Sequence, residues 1–65
     1  MKSYKPEFQI QGQWYDNAVR FATYEEALAN ARDKYQRWTV PTDYRAVSCE
    51  DPPNYRYVNG QLEAL

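Results

Sequence analysis

The sequence has no histidine, one cysteine and two glycines among its 65 residues. Without histidine the chain lacks the side chain that most readily moves protons near neutral pH. A lone cysteine excludes an internal disulfide, and with no histidine beside it there is no Cys/His cluster to hold zinc. Gly12 and Gly60 do not lie at a strand-to-helix junction, so no glycine-rich phosphate loop is present. No apolar run reaches the length of a membrane span, and the opening Met1-Lys2-Ser3-Tyr4-Lys5-Pro6 lacks the apolar stretch of a secretory signal. Unpaired Cys49 fits a reducing compartment, and a soluble, cytoplasmic protein is expected. Eight basic residues against nine acidic ones give a net charge of −1, which argues against a dedicated nucleic-acid binder with a basic footprint.

Aromatic residues, by contrast, are plentiful. Seven tyrosines, two tryptophans and two phenylalanines make up 17% of the chain. Such side chains build cores and interface hot spots. The length allows one domain, over 1–65, and a domain this small buries only about 60% of the surface its unfolded chain exposes. A core of that size supplies roughly 3–5 kcal/mol. With no disulfide and no metal, a protein partner or a second subunit is the expected source of extra support, so a homo-oligomer is one expectation.

Alternation from Phe8 to Tyr15 has the period of a half-buried strand. A turn at Asp16-Asn17 pairs it with Ala18–Ala22 and sets Phe8, Ile10, Trp14, Val19 and Phe21 on one face. A rival turn at Gln11-Gly12 mixes the faces, and the first register is preferred. Residues 1–6 are then a flexible tail. Thr23-Tyr24-Glu25-Glu26 is a capping box, with Thr23 accepting from the Glu26 amide and Glu26 reaching back to the Thr23 amide. It opens a helix whose stripe is Tyr24, Ala27, Leu28, Ala31, Tyr35 and Trp38. Asp33 and Arg37 are spaced to pair on its surface, and Val40-Pro41 ends it. Asp43–Cys49 forms a third strand whose inward face is undecided, and Glu50-Asp51-Pro52-Pro53 breaks it. Asn59-Gly60 between extended runs signals a hairpin in which Val58 faces Gln61, Tyr57 Leu62, Arg56 Glu63 and Tyr55 Ala64; residues 54–65 otherwise fray as a tail. The fold class is α+β, a small antiparallel sheet crossed by one amphipathic helix (ββαβ), with a C-terminal β-hairpin.

At Phe21-Ala22-Thr23-Tyr24-Glu25-Glu26-Ala27, Arg37-Trp38, Tyr44-Arg45 and Asp51-Pro52-Pro53-Asn54-Tyr55, the chain resembles a loose group of small uncharacterised phage and bacterial proteins. They share an F-x-T-x-x-E-A helix start, a later R-W, and a W/Y-R strand leading into D-P-x-N-Y. The resemblance covers the middle two-thirds of the chain and brings no activity with it. It implies a phage-encoded accessory protein, acting in the host cytoplasm, of the class that includes small inhibitors of host defences.

Catalytic equipment is sparse. Cys49 has no base to generate its thiolate, and Glu50 and Asp51 beside it oppose ionisation. The pairs Glu25/Glu26 and Glu50/Asp51 read as helix capping and a solvated turn rather than as converging acid and base. No enzyme activity, no cofactor and no metal are therefore expected. The face holding Gln11, Gln13, Tyr15 and Arg20, an aromatic and an arginine among amides, suits protein recognition. Tyr44, Arg45, Tyr55 and Arg56 offer an alternative: stacking plus cation chemistry for a nucleotide at a subunit interface, or for single-stranded nucleic acid. The sequence-level expectation is a non-enzymatic protein-interaction module, with a nucleotide-binding sponge as the alternative.

Overall fold

The first hairpin turns at Gln11-Gly12, not at Asp16-Asn17. Both turn residues have positive φ, 52° and 80°, the geometry of a tight turn that matches strand twist. In the computed structural model, which describes residues 2–65, β1 (Ser3–Ile10) and β2 (Gln13–Asp16) flank this turn. Their register is Ile10 to Gln13, Gln9 to Trp14, Phe8 to Tyr15 and Glu7 to Asp16. Trp14 thus stands on the face opposite Phe8, where a sequence argument demanding one apolar face could not put it. Asn17 does not make a hairpin. Its side chain accepts from the Val19 amide (3.0 Å), bending the chain away from the sheet.

The expected tail is also corrected, because Ser3–Pro6 forms the first half of β1. β3 (Asp43–Cys49) pairs along its whole length, from Ser3 opposite Cys49 to Gln9 opposite Asp43, and the strand order is β2-β1-β3. Pro6 sits fully buried in this central strand. It is tolerated there because the N–H its position lacks would point toward the side on which Tyr4 bonds Phe21, at the gap between the end of β2 at Asp16 and Phe21. Ser3, also fully buried, donates its hydroxyl to the Asp51 carbonyl (2.6 Å) and lies 3.1 Å from the Cys49 sulfur.

Helix α1 (Tyr24–Arg37) packs across β1 and β3. Thr23 caps it as expected, accepting from the Glu26 amide at 3.2 Å. The reciprocal half differs: Glu26 accepts from the Thr23 hydroxyl (2.8 Å) and from the Tyr57 amide (2.9 Å). Ala27 and Ala31, one turn apart, have no exposed surface, so small side chains let the helix sit close to the sheet. Aromatic pairs surround them: Tyr4 on Tyr24, Phe8 on Trp38 and Tyr35 on Tyr44, with centroids 5.0–6.0 Å apart. This answers the question of β3's orientation, since Tyr44 and Ala46 face the helix. The helix closes at Arg37, ahead of Val40-Pro41. Trp38 is already extended (φ −123°), which turns its ring onto Phe8.

The second hairpin, β4 (Tyr55–Val58) and β5 (Gln61–Ala64), has the register expected from Asn59-Gly60. It reaches the rest of the molecule through Phe21, which exchanges both backbone hydrogen bonds with Tyr4 (2.8 Å each) and bridges Tyr55 in parallel. The Phe21 ring is fully buried and forms a T-shaped pair with Tyr57, centroids 6.2 Å apart. Tyr57 also donates its hydroxyl to Asp33 (2.6 Å), which takes this partner in place of the expected Arg37. That bond, then burial and the Asp33 charge, raise the Tyr57 hydroxyl above the ordinary tyrosine range.

Two outcomes are expected. Phe21→Ala should cost about 3–5 kcal/mol, as much as a core of this size supplies, so the variant should be largely unfolded by circular dichroism while Phe21→Leu remains folded. Because the folded Tyr57 pKa lies above its unfolded value near 10, the bond to Asp33 stabilises fully below about pH 10 and is lost as pH rises through the folded pKa. Tyr57→Phe should be destabilised by about 1 kcal/mol at neutral pH and lose less stability than the parent on alkaline titration.

Candidate functional site: the helix-free sheet face

Side chains alternate along a strand, so the register that turns Tyr4, Phe8, Tyr44 and Ala46 toward the helix turns Lys5, Glu7, Gln9, Arg45, Val47 and Asp43 to the opposite face. β2 adds Trp14, opposite Gln9, and Asp16, opposite Glu7. Glu7 lies at the centre and is buried, at 9% exposure. One of its carboxylate oxygens takes both Nε and Nη2 of its cross-strand partner Arg45, at 2.8 and 2.6 Å. The other lies 3.5 Å from the Lys5 ammonium. Lys5 in turn donates to Asp16 at 2.5 Å. Charges therefore alternate Asp16, Lys5, Glu7, Arg45 across three strands.

That alternation sets the electrostatics. The hydrogen bond from Lys5 holds the Asp16 carboxyl below the usual aspartate range, against a smaller opposing effect of burial, and the same bond raises the Lys5 ammonium. The network ends on an aromatic: the Arg45 guanidinium lies 4.0 Å from the centre of the Trp14 ring, within cation–π range. Arg45 is held on one side by Glu7 and on the other by Trp14, yet its side chain keeps 45% of its exposure. The result is a water-facing platform of one indole and one guanidinium. Such a platform can stack and donate hydrogen bonds. It has no reactive group beside it.

The residues singled out in the sequence are distributed differently. Gln13 and Tyr15 lie on the Phe8 side of β2, linked at 3.4 Å, and Gln11 occupies the turn. Arg20 is not on that face, which corrects the expected grouping. It lies in the loop before Phe21, where Nε meets Asp51 (3.1 Å) and Nη1 donates to the carbonyls of Asn17 and Val19. Its backbone joins the same clasp, with the amide donating to the Asn54 side chain and the carbonyl accepting from the Asn54 and Tyr55 amides. A depression of about 360 Å³ lies over this clasp, between Ala18 and Asp51–Asn54, with Arg20 already engaged in its wall.

The alternative ligand set is not brought together. Tyr44 packs on Tyr35 on the helix side while Arg45, the next residue along the strand, points the other way. Tyr55 and Arg56 are on the second hairpin, Arg56 being paired with Glu63 at 2.6 Å. Trp14, Glu7 and Lys5 were missed. Opposite charges two apart in Lys5-Pro6-Glu7 were a usable signal, but only once residues 1–6 were read as strand.

No helix among the described residues is long and apolar enough to cross a membrane. Among the described residues no group of three or more acidic, cysteine or histidine side chains is placed to hold a metal ion. Comparison with protein-family models, with curated proteins and with solved structures finds nothing that matches this chain.

Removing the charge at the centre should loosen the platform. Glu7→Gln is expected to cost about 1–2 kcal/mol, below the range for fully buried pairs because Arg45 is partly exposed. In a Trp38→Phe background the same change should alter Trp14 fluorescence, by freeing the guanidinium that now covers the indole.

Proposed function

We propose that this chain is a non-enzymatic protein-interaction module that presents its helix-free sheet face, centred on Trp14 and Arg45, to a protein partner. The observation that carries this reading is the guanidinium that Glu7 bonds and that lies 4.0 Å from the centre of the Trp14 ring. Trp and Arg are the residue types most enriched at interface hot spots. Here both are ordered before any partner arrives, so less side-chain entropy remains to be lost on binding. The resemblance to small phage and bacterial proteins makes an accessory or inhibitory role on a host protein, in the host cytoplasm, the natural setting.

A protein is favoured over an anionic ligand by the charge on the face. Glu7, Asp16 and Asp43 place three carboxylates there against the two cations Lys5 and Arg45. A nucleotide phosphate would meet net negative charge, and the two cations are already neutralised by Glu7 and Asp16. Alternating signs suit a protein surface of complementary pattern, where such charges set orientation and exclude wrong partners.

The test is affinity capture from host lysate, followed by titration of the captured protein against purified variants. Trp14→Ala and Arg45→Ala should each weaken binding by about 2 kcal/mol or more, roughly thirtyfold, while thermal melts show the variants folded. Partner affinity unchanged in both variants, or no stoichiometric partner, would overturn the assignment.

A further inference from the structure

β5 is a free edge of the second hairpin. All four of its residues are exposed, and Leu62 keeps 47% of its surface. In a hairpin with a two-residue turn, alternate residue pairs exchange hydrogen bonds. Val58 and Gln61 flank the turn, and the Leu65 amide donates to the Asn54 carbonyl (3.0 Å), so Gln61 and Glu63 point their amides inward to β4. Leu62 and Ala64 therefore direct their N–H and C=O groups outward, into water.

Other edges are covered in part. On β4 the outward amides are taken, Tyr55 by the Arg20 carbonyl and Tyr57 by Glu26. On β3 only the first outward amide, that of Tyr44, is capped, by the Asp43 carboxylate at 2.8 Å, but four of its seven residues are half-buried. β5 carries no proline and no lysine, and its one charge, Glu63, is paired with Arg56 of β4.

We propose that the β5 edge pairs antiparallel with the β5 edge of a second copy of this chain, about a twofold axis at Leu62, giving a four-stranded ribbon. The register follows from symmetry and charge. An axis perpendicular to the ribbon keeps every side chain on its own face, so only residues of like parity can be opposed. With Leu62 opposite its own copy, the two leucine backbones exchange hydrogen bonds and Gln61 lies opposite Glu63, an amide donor beside a carboxylate. Sliding the strands to the next allowed register sets Glu63 directly against Glu63, which like-charge repulsion disfavours. A second copy is thus complementary to this edge in backbone and charge. The contact lies apart from the Trp14–Arg45 face, so the two surfaces can be occupied independently.

Sedimentation of the purified full chain over a wide concentration range tests the proposal. A reversible monomer–dimer equilibrium is expected. Leu62→Pro removes an amide that β4 does not use, and should weaken association on the order of tenfold or more, through loss of two intermolecular hydrogen bonds. Leu62→Lys sets like charges opposite each other and should act in the same direction without touching the backbone, deciding the matter if the proline variant is misfolded. Trp14→Ala should dimerise as the parent does. A parent that stays monomeric throughout, open-ended polymers, or a folded Leu62→Lys that dimerises as tightly as the parent would each overturn the proposal.

Discussion

Phe21 joins the parts of this protein that would otherwise share little. Its amide and carbonyl are spent on Tyr4 in the central strand, its parallel bridge reaches Tyr55 at the start of the second hairpin, and its ring is sealed between them. The clasp just before it, Arg20 with Asp51 and Asn54, holds the loops on either side in place. A three-stranded sheet and a separate ribbon thereby close around one helix. In a domain with so little interior, a single buried ring that belongs to both halves makes their stability interdependent.

The aromatic richness follows from the same scarcity of interior. With two alanines at the closest helix–sheet contact, larger rings must close the perimeter, and they do so in edge-on or tilted pairs whose polar ends reach water or a bonded partner. Lys34 lies over both Phe8 and Trp38 at about the same distance, 5.6 and 5.5 Å, shielding that end of the core with its own charge. Trp14 stands apart. It is on the face no helix covers, and its neighbour is a guanidinium rather than another ring. This separation leaves the sheet one face packed against the helix and one turned to solvent.

Local signals were legible where the determining contacts are short in sequence. The Thr23 cap, the Asn59-Gly60 turn with all four of its cross-strand pairs, and the span of β3 each follow from residues a few positions apart. The first hairpin was misread because its pattern was judged as though a strand's apolar residues must share a face. Trp14 breaks that rule by finding Arg45, thirty-one positions on and on a different strand. Treating residues 1–6 as a tail had the same origin. Lys5 and Pro6 look unsuited to a central strand until Asp16, Glu7 and the gap beside Phe21 are placed around them. The candidate site was hidden for the same reason, since its members come from three strands.

By itself the sequence determined the class of the fold, the helix start, the second hairpin and the scarcity of chemically reactive groups, because each depends on composition or on backbone propensities within a turn or two. Only the tertiary structure decided which turn closes the first hairpin, which way β3 faces, and that Arg20 is an internal clasp while Arg45 is a presented one. Those choices rest on pairings between distant strands. A one-residue shift there exchanges the buried and exposed faces, and what resolves it is the partner each side chain finds across the sheet.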